Sequence, residues 1–286
     1  MDKFLSKIEV EEYWNSLVKE NNDLFIYTIC TRNISDNWEF FFRKKILKLL
    51  VPSEIKIGNL DFNYDYCSNE SKSSKKNFNK LTIHSIMIRD LIRNLNPKSY
   101  CLILDIDAFP LSQYAIKLTF VLAKIKGFSG NIQRTNCINN DEHLFIGPSF
   151  LCFDTKKIKE FEELAFVTNR KSDVSEEITW EKPELIDHNL FRPLKTIFKP
   201  IWALEGNRKV YGIGTTFGYN KMPINYHHFY SRNFAARFHF FLISLFNYIK
   251  INLIYLRPKS FTIKKKILSA LRECKFAFKY IFGDIE

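Results

Sequence analysis

The stretch that decides the fold is Tyr100-Cys101-Leu102-Ile103-Leu104-Asp105-Ile106-Asp107-Ala108-Phe109-Pro110-Leu111-Ser112. The apolar run from Tyr100 to Leu104 has the character of a strand buried on both faces. It ends in Asp105-Ile106-Asp107, and alternation along an extended chain sends both carboxylates to one side. Two like charges held that close disfavour one another unless a cation sits between them. Small Ala108 follows, and Pro110 is expected to stop the strand. A turn with two solvated acids is the plainer alternative, but the buried run in front of the pair argues against it. Hard carboxylate oxygens suit Mg²⁺ or Mn²⁺, which commonly bridge to phosphate oxygens, so a phosphorylated molecule is the expected second occupant.

Working outward, strands and helices alternate. Residues 3–21 have helical spacing, and Leu24–Cys30 reads as a buried strand followed by the polar loop 31–37. Residues 38–50 are expected to be helical up to Pro52, 54–58 a short strand, and the Ser/Lys/Asn-rich 63–80 a loop. A helix over 81–95 feeds the strand ending at Asp105. The next helix, 112–127, has Gly127 as its cap, and residues 143–153 read as a strand with a helix over 155–167. Residues 183–197 look helical from Pro183, with a break at Pro193. The pieces 201–206, 209–219 and 224–230 look strand-like, with Gly212-Ile213-Gly214 as a relieved turn. Continuous rather than alternating apolar strands predict an α/β fold around a mixed, mostly parallel sheet flanked by helices. In such sheets ligands bind beyond the carboxyl ends of strands, where Thr31, Arg32 and the aspartate pair all fall.

Composition narrows the class. The chain has 286 residues, 46% hydrophobic and 16% aromatic, which is globular rather than disordered. Its six cysteines form no CxxC pair, so reduced core cysteines are expected and a zinc site is not. The N-terminal residues mix acids and bases with no apolar leader core, and 240–246 is too short to span a bilayer. A cytoplasmic location is therefore expected. The net charge is +12, and +8 of it falls between Ser231 and Glu286, where eleven basic residues face three acids.

The motif set resembles one family. Leu102–Leu111 is similar to the DxD segment of GT-A-fold, nucleotide-sugar-dependent glycosyltransferases, nearest in motif order to the retaining galactosyltransferase and glycogenin-like enzymes. The resemblance runs from Leu24 to about Asn233 and implies a GT-A, Rossmann-like catalytic domain over 1–233. It implies a metal ion on Asp105 and Asp107, and donor contacts from His84 and Arg89 on the helix before the DxD strand. Asp105 itself, Ser149 within Gly147-Pro148-Ser149, and Thr31 and Arg32 would also meet the donor. Asp187-His188-Asn189-Leu190-Phe191 resembles an acidic acceptor-side motif, with Asn189 in place of its second acid. His227-His228-Phe229-Tyr230-Ser231 resembles the late metal-ligand segment, aligned on His228, with Ser231 where glycine is usual. The implied reaction is sugar transfer from a nucleotide sugar to a glycan or lipid-linked oligosaccharide. If configuration is retained, Asp187 supports the sugar; if it is inverted, Asp187 or Glu181 is the base.

Read as residues alone, several positions have plainer roles. His227 and His228 suit a structural strand pair, Asp187 a support for a kinked helix, and Glu181, Arg32 and Glu176-Glu177 a solvated surface. Rival functions fit the motif set less well, among them a phosphatase with a strand-end DxD nucleophile, which would usually continue with Thr or Val where this chain has Phe109. A sugar-phosphate nucleotidyltransferase wants a glycine-rich loop after the first strand, and 31–37 has no glycine. A non-enzymatic nucleic-acid or membrane binder fits the charge, but no nucleic-acid motif accompanies it.

Residues 234–286 form a basic, aromatic-rich helical extension in this reading. Within 261–282, apolar residues at 267, 268, 271, 274, 278, 281 and 282 trace one helical face, with Lys265, Arg272 and Lys279 on another. Such a helix suits an anionic membrane surface on the cytoplasmic side, and the alternative is a helical pair packed on the catalytic domain.

Overall fold

A computed structural model describes residues 4–30, 38–61, 80–134, 144–161, 175–176, 190–197, 200–204, 209–229 and 234–255. The expected loops 31–37 and 63–79, the C-terminal part of the 155–167 helix, the 183–189 part of the expected helix and the 261–282 helix lie outside the described residues.

The chain opens with α1 (Lys7–Lys19), fixed by a reciprocal cap in which the Glu9 amide donates to Ser6 Oγ and the Ser6 amide to Glu9 Oε2. Val10, Trp14 and Leu17, one helical face, are buried. β1 (Asp23–Cys30) runs into the sheet. After a short 3₁₀ turn at Trp38–Phe40, α2 (Phe41–Leu50) leads to β2 (Ile55–Asp61). Next come α3 (Lys80–Asn94), β3 (Ser99–Asp105), buried up to its last residue, and the three-residue β4 (Ala108–Pro110). α4 (Gln113–Lys126) starts at Ser112, whose Oγ accepts from the Ala115 amide, and ends at Gly127 with φ 96°, a left-handed cap that glycine adopts without strain. β5 (Phe128–Arg134), β6 (Leu144–Asp154) and the single turn α5 (Thr155–Ile158) follow. The remainder is β7 (Leu190–Thr196), β8 (Pro200–Leu204), β9 (Lys209–Gly212), β10 (Gly214–Tyr219), β11 (Met222–His228) and α6 (Phe234–Tyr255).

Nine strands join in the order β2-β1-β3-β6-β5-β7-β10-β11-β4, and β8 and β9 pair separately. The sheet is mixed, but the expected parallel majority is wrong. β1 is parallel to β2 and β3, and β5 to β7. The other five described pairings of this sheet are antiparallel. The order also requires curvature. β3 and β4 lie six places apart, about 29 Å in a flat sheet, yet only Ile106 and Asp107 join them, a reach of about 11 Å. The sheet therefore curls until its last strands meet the end of β3, and the His228 amide donates to the Asp107 carbonyl at 3.0 Å across that seam.

Two local expectations need correction, and one strand was not expected. Residues 190–196, expected to be helical, form β7, because Pro193 cannot sit in a helix interior. It fits instead opposite Phe217, beside a register shift on β10. Pro110 does not end β3, which has already stopped at Asp105. It lies on β4, an edge strand where a missing N–H costs no ladder bond. β5 had no sequence expectation at all. Its Ser129 and Asn131 are polar yet wholly buried, so the apolar alternation that announces a strand is absent.

The core sits between the sheet and α1, α3 and α4, with Ile103, Leu104, Phe120, Phe150 and Phe153 fully buried. Cys30, Cys101 and Cys152 are buried, as expected of core residues.

Candidate metal centre

The aspartates stand at a place that the topology favours for ligands. β1 leads outward to β2 and then the chain crosses back to β3 on its other side, so the strand order reverses between β1 and β3. Crevices outside the carboxyl ends of strands at such a switch point are the usual binding position in open α/β sheets. Asp105 is the last residue of β3, in register with Ile29 near the end of β1.

Here the curl brings in a third side chain. His227 Nε2 lies 3.3 Å from Asp107 Oδ1 and 3.8 Å from Asp105 Oδ2. Ligand atoms from Asp105, Asp107 and His227 all fall within 4.8 Å of one another. Adjacent ligands of an octahedral ion with bonds of about 2.1 Å stand about 3 Å apart, so small side-chain movements close this set around one cation. A fourth group, His84 on α3, points its Nε2 at Asp105 Oδ1 from 3.6 Å, beyond hydrogen-bond reach. His84 Nε2 and His227 Nδ1 are buried without a hydrogen-bond partner among the described residues. Two carboxylates with one imidazole could hold a metal ion.

The electrostatics point the same way. Desolvation raises the Asp105 carboxyl above its usual range; His84 opposes the shift, Asp107 adds to it, and His227 and Arg43 oppose it. Without a cation, Asp105 is therefore biased toward keeping its proton. Arg43 supplies fixed positive charge beneath it. Its Nε donates to the Ala108 carbonyl at 2.8 Å, and its Nη2 to the Asp105 carbonyl at 3.1 Å and Thr28 Oγ1 at 3.0 Å. Burial pulls the Arg43 guanidinium down to about 10, still charged at neutral pH. One side chain thus clamps the backbone on both sides of the metal-facing turn.

The histidine that faces the aspartates is His227, not His228. The two side chains leave β11 on opposite faces, as alternation demands. His227 pairs across the ladder with Ala108, whose small side chain leaves room beside Asp107. His228 is fully buried on the other face, 2.8 Å from the Tyr226 hydroxyl and packed on Phe240, and burial depresses its imidazole to about 4.

The other expected residues are dispersed. Arg89 lies on α3 with its Nε 3.9 Å from Asp90, not within the cluster. Ser149 is 1% exposed on β6, where Asn131 and Gln133 amides approach its hydroxyl at 3.5 and 3.4 Å. Gly147 serves this network, since a Cβ there would lie 2.1 Å from the Gln133 carboxamide. Thr31, Arg32, Glu181 and Asp187 lie outside the described residues. Sequence reasoning missed Arg43, although a signal exists: it shares the buried face of α2 with Ile46, Leu47 and Leu50, where an unpaired charge is costly.

A cavity of about 500 Å³ opens on the α2 side of the same turn. Ile106, between the two aspartates, contributes to its wall, with Lys44 and Lys48 on α2, Thr28 and Cys30 on β1, and Asn59 on β2.

No family model and no curated protein matches the chain, so its chemistry is read from its own residues.

Proposed function

We propose that the protein moves a sugar from a nucleoside-diphosphate sugar to a hydroxyl of a glycan or glycolipid, with Mn²⁺ or Mg²⁺ held by Asp105, Asp107 and His227. The observation that carries this reading is the Asp105–Asp107–His227 cluster at the carboxyl ends of β1 and β3, beside a cavity of nucleotide size. The resemblance of Leu102–Leu111, the Asp187 segment and the His227-His228 segment to GT-A glycosyltransferases supports the donor class.

When bound, the cation supplies Lewis-acid stabilisation of charge growing on the diphosphate leaving group. The chain's own groups do the rest. Arg43 fixes the backbone at Asp105 and Ala108, on both sides of the turn that carries the carboxylates, which limits the reorganisation needed on binding. The cavity takes the nucleoside, and Lys44 and Lys48 on its wall attract the phosphates. The acceptor oxygen forms a bond to the anomeric carbon as the bond from that carbon to the phosphate oxygen breaks. The acceptor proton passes to a carboxylate, for which Asp187 and Glu181 are the proposed candidates, and a nucleoside diphosphate departs.

A panel of nucleoside-diphosphate sugars with and without Mn²⁺ tests the reading through donor hydrolysis and protection against thermal unfolding. One donor class is expected to raise the melting temperature only with metal, and Asp105→Asn and Asp107→Asn are expected to abolish that shift. A chain that no donor protects, or aspartate variants that behave as the parent, overturns it.

A further inference from the structure

α6 is apolar on both sides. Its inner face buries Ala236, Phe240, Phe241 and Ile251. Its outer face leaves Leu242, Phe246, Leu253 and Ile254 between 38% and 66% exposed. Residues 242, 246 and 253 form one row along the helix, with half-buried Phe238, Leu245 and Ile249 beside it. A monomer rarely leaves such a continuous apolar row to water. Yet no helix among the described residues is long and apolar enough to cross a membrane. The remaining geometry is a helix lying in the interface plane.

We propose that the outer face of α6 rests on an anionic lipid surface and that the acceptor is lipid-linked. The charge pattern selects this partner. Lys250 borders the row, and residues 256–286 carry eight basic residues against three acids. Each basic residue near an anionic leaflet adds an attraction that salt screens. A second copy of the chain is disfavoured as the cover, because it brings another +12 to the same place.

The inner face ties this surface to the metal centre. Phe240 packs on Phe109, 5.9 Å between ring centres, and on His228 at 5.8 Å. Phe109 follows Asp107 by two residues and His228 adjoins His227. Arg237 reaches Glu39 at 3.4 Å, tying α6 to the segment that opens α2. Docking the outer face therefore holds the centre roughly one helix diameter, about 10 Å, above the headgroups. That placement suits a sugar acceptor carried on a lipid, a conclusion that rests on the glycosyltransferase reading; the docking itself does not.

Sedimentation with vesicles of phosphatidylcholine, with and without phosphatidylglycerol, tests the surface using the full chain without donor or metal. Binding is expected only with phosphatidylglycerol, and it weakens as salt rises. Leu242→Ser and Phe246→Ser are each expected to lower the partition coefficient about tenfold with an unchanged melting temperature. A parent chain that ignores anionic vesicles overturns the proposal. So do variants that bind like the parent, which assigns binding to the tail alone, and so does a dimer that Phe246→Ser dissociates. Because no donor is present, vesicle binding and donor turnover fail independently.

Discussion

His227 and His228 are chain neighbours, yet their surroundings have almost nothing in common. His227 faces two carboxylates across a seam, while His228 faces Tyr226 and the aromatic wall of α6. The first sits where a positive charge is wanted, and the second where burial holds an imidazole neutral. What separates them is register. β11 pairs with β4 so that His227 stands opposite Ala108, and a one-residue slip would exchange the two roles. A residue's type therefore says less about its chemistry here than the face it occupies.

Removing a ligand is the strongest way to break this contrast. Asp107→Ala is expected to weaken Mn²⁺ binding about a thousandfold, equivalent to about 4 kcal/mol, by titration calorimetry. His227→Ala is expected to weaken it about tenfold or more. The next effect in size belongs to the dry face. His228→Ala empties a fully buried site and strips the Tyr226 hydroxyl of its partner, costing about 3 kcal/mol of stability in denaturant unfolding. Its Mn²⁺ affinity is expected to stay within about threefold of the parent. If His228→Ala instead loses metal as fully as His227→Ala, the two faces are not chemically separate.

The same contrast explains what the sequence reveals. The half built around β1 and β3 is legible because both strands are largely continuous apolar runs between helices, and each ends at an obvious polar break. Asp105 and Asp107 are legible because a buried strand leading into two acids is costly without a cation. The other half is harder. β5 hides behind buried polar side chains, with Asn131 and Asn225 exchanging hydrogen bonds at 3.0 and 2.8 Å inside the curl. β7 contains a proline that reads as a helix break until β10 supplies a register shift opposite it. His227 and His228 are indistinguishable in sequence, since only pairing with β4 fixes which one turns toward the aspartates. Long-range register carries that information, and a local pattern does not.

The smallest expected effect contrasts the two ends of β3. Cys101, near its start, and Cys152, opposite Leu102 on β6, are buried, and desolvation raises both thiols well above 9.0. The folded chain keeps protons that the unfolded chain sheds above about pH 9, so stability falls as pH rises. The loss is expected to reach about 1 kcal/mol per thiol by about pH 10 and to vanish below about pH 8. Tyr100, pushed up to about 12 by burial, adds a loss of the same sign beginning near the ordinary tyrosine range. At the other end, the raised Asp105 carboxyl has the same sign in the acid range, since its stabilising proton is lost as pH climbs through the folded pKa. A cation between Asp105 and Asp107 replaces that proton. Added Mn²⁺ is therefore expected to raise the melting temperature wherever both carboxylates are ionised, the rise shrinking toward acid pH as protons compete for the same oxygens. The slope of the alkaline limb, set by the thiols and Tyr100, is expected to be the same with and without Mn²⁺. A slope that changes with Mn²⁺ shows that the thiols and the carboxylates report on one coupled site rather than two ends of a strand.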